Sequence, residues 1–257
     1  MQIRLKNQEK IFDNYQGIER VLDPKQRAWL EVNGKVIEQN VRQLILRLKK
    51  NCQLMAVVKA DGYGHDASVV SQYAIRGGAS QLGVATLQEG IKLRSLGIDV
   101  PILVLGNLHT KQDLLICFKH DLMPTISSLS DCQICNDIGE KYGAKFPLHL
   151  KVDTGMSRLG FEYDQFISSF NQIKYFKNIL IKGIYSHLSS ADEINALNAQ
   201  SNTQLQRKKF QYLLKKSISK KKIILKFIFQ ILQACFWAKI FILIWCVLGC
   251  LFMAIVH

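Results

Sequence analysis

The stretch Leu54-Met55-Ala56-Val57-Val58-Lys59-Ala60-Asp61-Gly62-Tyr63-Gly64-His65 decides the fold. Its first five residues are apolar at successive positions, so a strand over Leu54–Val58 would be buried on both faces. The residues that follow are charged, polar or glycine, so the strand closes on a lysine and a tight turn. The same unit recurs along the chain. Leu82–Ala85, Ile102–Leu105, Leu122–Ile126, Pro147–Val152 and Ile179–Tyr185 read as further buried strands. Helix-like segments near 66–76, 86–96, 110–119, 128–141 and 163–176 lie between them, and another near 199–216 follows the last. Strands apolar on both faces that alternate with helices describe a parallel sheet covered by helices. Six such units fit either a doubly wound sheet or most of a (β/α)8 barrel, and periodicity alone does not separate the two. Either architecture gathers its chemistry at the carboxyl ends of the strands.

Outside these units, Arg27–Val32 alternates polar and apolar residues as a half-buried strand does, and Asn33 is suited to cap a helix carrying Val36, Ile37, Val41, Leu44, Ile45 and Leu48. Residues 1–26 read as a polar, mobile leader without the apolar core of a secretory signal. The 257 residues are 48% hydrophobic with 16 Gly and 4 Pro, which excludes disordered and collagen-like classes. Seven Cys without a signal peptide imply reduced thiols and a cytoplasmic location. Cys132 and Cys135 form a lone C-x-x-C, which reads as packing, with no metal expected. The net charge of +14 is a property of the tail. From Ile194 to His257 there are ten Lys or Arg and no acid, which leaves +4 for residues 1–193. An ordinary balance over the main body gives no reason to expect a nucleic-acid partner.

Three segments carry chemistry. In Val57-Val58-Lys59-Ala60-Asp61-Gly62-Tyr63-Gly64-His65, a lysine at the carboxyl end of an apolar strand faces whatever pocket forms there, where a lowered pKa suits a Schiff-base amine. His149-Leu150-Lys151-Val152-Asp153-Thr154-Gly155-Met156-Ser157-Arg158-Leu159-Gly160 ends a strand in a turn bearing Lys151, Asp153 and Arg158, and an arginine clamps carboxylates with two parallel bonds. Gly183-Ile184-Tyr185-Ser186-His187-Leu188 closes a third strand on a histidine. Spacing alone leaves plainer readings open: a snorkelling lysine, a surface Lys–Asp–Arg network and a structural histidine.

Taken together, VVKADGYGH, LKVDTGMSRLGF and YSHLSSAD resemble the alanine racemase family, fold-type III pyridoxal-phosphate enzymes, over residues 27 to about 216. The resemblance implies an incomplete (β/α)8 TIM-type barrel of about six βα units and the cofactor pyridoxal 5′-phosphate. It also implies interconversion of L- and D-alanine, which supplies peptidoglycan, and a homodimer. Lys59 would hold the cofactor as a Schiff base and act as base on one face of the substrate Cα. Tyr63 would contact the phosphate. Arg158 would sit by the phenolic oxygen and the substrate carboxylate. Lys151 matches a lysine that is carbamylated in many members and orients the arginine, and His187 would lie beside the pyridine ring.

The family's opposite-face base is a tyrosine of a C-terminal β-domain contributed across the dimer, and it has no counterpart here. Nor have barrel strands seven and eight. Residues 217–257 turn basic and then apolar. Read one base out of frame from near Phe227, they allow a segment containing N-S-A-G, F-D-M-V-R-L-G and Y-G-x-x-P, which resembles the family's continuation. Trp237-Ala238, Trp245-Cys246 and Met253-Ala254 force a glycine, a valine and a glycine that fit it. The tail is therefore expected to be a non-native, out-of-frame stretch, and the 257-residue polypeptide to be impaired or inactive as a racemase. The alternatives are a non-catalytic pyridoxal-phosphate-binding barrel protein and a protein tethered to a membrane through 240–256, a stretch at the short end of what a bilayer-spanning helix needs.

Overall fold

Six apolar runs become six parallel strands in the computed structural model, which describes residues 2–5, 29–48, 50, 52–191, 198–217, 227–230 and 251–256. They are β3 (Gln53–Val57), β4 (Gln81–Val84), β5 (Ile102–Asn107), β6 (Met123–Ile126), β7 (Phe146–Asp153) and β9 (Ile179–Tyr185). A two-residue strand, β8 (Phe161–Glu162), adds to the end of β7. The helices α1 (Gly34–Arg47), α3 (Ala67–Arg76), α4 (Leu87–Ser95), α5 (Lys111–Lys119), α6 (Leu129–Lys141), α7 (Phe166–Ile173) and α8 (Asn202–Ser217) flank them, and α2 (Lys59–Tyr63) is a single turn. Each of α1, α3, α4, α5 and α6 starts on a side-chain cap: Asn33, Asp66, Thr86, Thr110 and Ser128 each accept a bond from a backbone N–H of the first turn. These caps set where each strand's connection turns into its helix.

The strand order settles what periodicity left open. Along the run β3-β4-β5-β6-β7-β9 each strand pairs in parallel with the next, and the order never reverses. A doubly wound sheet has a switch point where the order turns back. Its absence makes this sheet the arc of a barrel, an incomplete (β/α)8 TIM-type fold.

Two cores follow from the period-two alternation of the strands. Leu54, Ala56, Val58, Ile102, Val104, Leu122, Ile126, Leu148, Leu150 and Val152 join the large cluster that also holds buried residues of the helices. The odd-numbered neighbours Met55, Val57, Leu103, Met123 and Tyr185 form a second, inner cluster with Tyr63 and Leu105. Cys132 and Cys135 lie free and buried in the outer layer with Cys117, and burial pushes their thiols up, to about 12 for Cys132.

Of the leader expected over 1–26, β1 (Gln2–Leu5) pairs in parallel with β2 (Trp29–Val32), and the remainder lies outside the described residues. The shifted-frame reading of 217–257 falls mostly outside them too. The exceptions are β10 (Phe227–Gln230) and β11 (Leu251–Val256), two antiparallel strands, of which β11 also pairs antiparallel with β3. β10 lies close to β9, so the sheet curls until its two ends approach. Most of 240–256 is not described, and its last six residues are strand. No helix among the described residues is long and apolar enough to cross a membrane.

Candidate active site

Inner-facing positions continue past the ends of the strands. Counting by twos from Met55 and Val57 reaches Lys59, from His149 reaches Lys151, and from Tyr185 reaches His187. The barrel interior therefore delivers all three side chains to one end of the sheet, the carboxyl end. The register sets Lys151 beside Tyr185 directly. Lys151 Nζ lies 5.6 Å from the centre of the Tyr185 ring. The Tyr185 hydroxyl shares a 2.7 Å hydrogen bond with Thr125 Oγ1, which itself donates to the Val104 carbonyl at 2.7 Å. This bond ties β9 across the interior to β6 and β5, and burial pushes the Tyr185 phenol up, keeping it neutral.

Lys59 opens an unusual segment. Ala60, Asp61, Gly62, Tyr63 and Gly64 all have positive φ, between 51° and 81°. A left-handed run costs about 1–2 kcal/mol for each residue with a Cβ, so it persists only where its surroundings over-determine it. Gly62 N–H donates to the Val58 carbonyl at 2.9 Å, and Gly64 N–H to the Ala60 carbonyl at 3.0 Å. The Ala67 N–H donates to Asp61 Oδ1 at 3.2 Å. The fourth anchor comes from outside the segment. Glu89 Oε1 accepts the Ala60 N–H at 2.7 Å, while Glu89 Oε2 accepts the N–H groups of Ala85 at 2.7 Å and Thr86 at 3.1 Å. One carboxylate thus joins the ends of β3 and β4. The turn folds Tyr63 back so that Lys59 Nζ sits 5.8 Å from the centre of its ring.

Arg158 stands on the loop between β7 and β8. Asp153 organises that loop: its Oδ1 accepts from Gly155 N–H at 2.8 Å and Met156 N–H at 2.9 Å, and its Oδ2 from Arg158 N–H at 3.0 Å. Burial alone would raise the Asp153 carboxyl, but these bonds and one from Ser157 outweigh it and hold the group below the usual carboxylate range. Gly160 closes the loop at φ 137°, where a Cβ would lie 2.6 Å from Asp153 N. No side chain fits there.

The electrostatics show how the charges face one another. His187 is pushed down to about 4, first by burial and then by the positive charges of Arg158, Lys151 and Lys59. Lys151 is pushed down to about 8 by burial and by Arg158, with Asp153 opposing. Four basic groups from three strand ends therefore converge, His187 stays neutral at physiological pH, and the nearby Asp153 is committed to its own backbone loop. That donor set fits an anionic ligand carrying an electrophilic carbonyl: a primary amine at Lys59, a phenol at Tyr63 and an excess of positive charge. A phosphorylated aldehyde such as pyridoxal phosphate has this chemistry.

Lys59, Lys151, Arg158 and His187, all singled out in the sequence, thus meet at one place, with Tyr63 packed against Lys59. Glu89 and the buried Gln206 of α8, which bonds to the His187 and Thr154 loops, went unnoticed there. A faint signal for Glu89 was available, since Thr86-x-x-Glu89 has the spacing of a capping box. Nothing local marks Gln206. Among the described residues no cluster of His, Cys, Asp and Glu could hold a metal ion.

Comparison with known proteins points to one family. The profile of the family described as "Alanine racemase, N-terminal domain" matches residues 32–225. Alanine racemase of Prochlorococcus marinus is 48% identical over 193 residues, covering 75% of this chain and 50% of that protein. Alanine racemase of a Synechocystis species is 42% identical over 171 residues, covering 66% and 46%. Among solved structures, alanine racemase of Clostridium difficile 630 superposes with a TM-score of 0.67 at 27% identity, over 76% of this chain and 50% of that one. The chain spans about half the length of the curated relatives it matches.

Proposed function

The chain belongs to the alanine racemase N-terminal domain family, and from that premise we propose that residues 27–216 form the pyridoxal-phosphate-binding barrel of an enzyme that interconverts L- and D-alanine. The observation that carries this reading is the convergence of Lys59, Lys151 and Arg158 on a neutral His187 at the carboxyl ends of β3, β7 and β9, where Asp153 is taken up by the backbone N–H groups of its own loop. Pyridoxal phosphate, when bound, supplies an electron sink for negative charge at the substrate Cα. Lys59 Nζ would hold the cofactor through its aldehyde and, once freed from it as an amine, would take or return a proton on its face of the substrate Cα. The Tyr63 hydroxyl would donate to the phosphate. Arg158 would bond the phenolic oxygen and the substrate carboxylate. Lys151, with a lowered pKa, exposes a neutral amine near pH 8 that can attack carbon dioxide. The carbamate so formed, after losing the ammonium proton to solvent, is an anion facing Arg158 and orients it. A neutral His187 would lie beside the pyridine ring without adding to the positive charge. The substrate side of this reading carries over the resemblance, as does a homodimer that supplies the opposite-face base.

Reduction with borohydride in the presence of pyridoxal phosphate tests it. Saturable labelling that maps to Lys59 and disappears in Lys59→Ala is the expected result, and labelling scattered over surface lysines would overturn it. The 257-residue polypeptide alone is expected to racemise alanine far more slowly than a full-length relative. A positioned acid/base contributes about 10²–10⁴-fold, and the opposite-face tyrosine is not among these residues. Saturable labelling with turnover no higher than that of Lys59→Ala would instead favour the reading as a cofactor-binding barrel without catalysis.

A further inference from the structure

Strands β7 and β9 are hydrogen-bonded neighbours, but past Asp153 and Tyr185 their chains diverge into two loops, one bearing Arg158 and the other His187. A buried side chain of α8 bridges them. Gln206 is 3% exposed and uses its whole amide. Its Nε2 donates to the His187 carbonyl at 3.0 Å and to Thr154 Oγ1 at 3.4 Å. Its Oε1 accepts from the Ser189 N–H at 2.9 Å and from Ser189 Oγ at 3.1 Å. Thr154 Oγ1 also shares a 2.7 Å bond with Ser186 Oγ, which closes the network between the loops. The orientation of the amide is fixed, because the flipped form would set oxygen against the His187 carbonyl and N–H against the Ser189 N–H. Gly155, at φ 138°, lets the Thr154 loop lie on this side chain: a Cβ there would come within 3.4 Å of Gln206 Cγ.

We propose that Gln206 is a positioning residue that holds the His187 loop and the Arg158 loop in their relative places. It touches neither cofactor nor substrate. It acts through the His187 carbonyl and through Thr154, four residues before Arg158. Helix α8 does not depend on it for docking, since Phe210, Leu213 and Leu214 are buried on the same helix. Without the amide, the two loops separate, water reaches His187, and Arg158 moves away from it. The proposal rests on reading Lys59, Lys151, Arg158 and His187 as the cofactor pocket, but its test needs no cofactor.

The experiment follows the His187 ring by NMR titration in the cofactor-free chain, with buried His149 as internal control. Gln206→Leu removes all four bonds at similar volume. Gln206→Glu keeps the acceptor for Ser189 and sets a second acceptor against the His187 carbonyl. Lys59 of α2, Lys151 of β7 and Arg158 of the loop after β7 face His187 and stay unchanged in both. Both variants are expected to raise the His187 midpoint by a pH unit or more, a tenfold gain in proton affinity, with His149 signals unmoved. A folded variant that titrates as the unmodified chain does, or that perturbs His149 as much as His187, overturns the proposal. Should neither variant fold, hydrogen exchange of the Gln206 side-chain amide in the unmodified chain decides. Slow exchange supports the bridge and solvent-like exchange overturns it. Failure of pyridoxal phosphate to label Lys59 would sink the cofactor reading and leave this result standing.

Discussion

His187 and Lys151 make the pocket's charge visible as a dependence of stability on pH. His187 falls from an ordinary 6.5 to about 4, so between those values the unfolded chain binds a proton that the folded chain does not. Stability contributed by this group is present above pH 6.5 and is lost as pH falls toward 4. Lys151 falls from 10.5 to about 8, so across that window the unfolded chain again holds the extra proton and stability rises with pH. The buried thiols of Cys117, Cys132 and Cys135 work in the opposite sense above their ordinary 9, because burial keeps them protonated in the folded chain. Denaturation of the chain and of His187→Asn across pH 4–6.5, and of Lys151→Met across pH 8–9, isolates each contribution. Each variant is expected to show a shallower rise of stability with pH in its own window. Equal slopes would mean that these groups do not feel the cluster.

At the scale of elements, the left-handed turn after β3 is the feature most dependent on its neighbours. Ala60, Asp61 and Tyr63 each carry a Cβ in a region that favours glycine. Glu89 on α4 caps its own helix and holds this turn with the same carboxylate. Glu89→Ala leaves the Ala60, Ala85 and Thr86 N–H groups without their acceptor. A hydrogen bond to a charged group contributes about 1.5–3 kcal/mol where buried, and these are partly exposed, so a loss of about 2 kcal/mol in urea denaturation is expected. Because Ala60 adjoins Lys59, the variant should also lose affinity for pyridoxal phosphate at temperatures well below its melting point. An unchanged affinity would show that the turn holds without Glu89. The Asn33 cap of α1 was readable ahead of its amphipathic run. The reach of Glu89 to Ala60 was not, because that contact spans 29 residues.

For the whole molecule, the monotonic strand order makes the sheet an arc that curls toward closure, and β10 and β11 stand antiparallel at the β3 edge where a parallel strand would continue the pattern. A tail that departs from the barrel's own direction sits with the absence of acids after Glu193 and the sharp turn to apolar residues after Lys226. Resequencing the coding DNA from about codon 205 is expected to show that a one-base correction near codon 220 opens a frame through N-S-A-G and F-D-M-V-R. A confirmed frame without that continuation would make the tail a genuine part of the chain and remove the out-of-frame reading.

By itself the sequence determined the six strands and their helices, because burial on two faces and amphipathic spacing are local patterns that each segment displays alone. It also marked Lys59, Lys151, Arg158 and His187 through three short motifs at strand ends. Tertiary structure decided the rest. Barrel or doubly wound sheet is a question of which strand lies beside which, and no single segment records that. The depressed pKa of His187 required first its burial and then three cations, from α2, β7 and the loop after β7, at the same end of the sheet. Gln206 acquired its place only when α8 packed against loops up to 52 residues away, since a buried amide is defined by the partners that the fold brings to it.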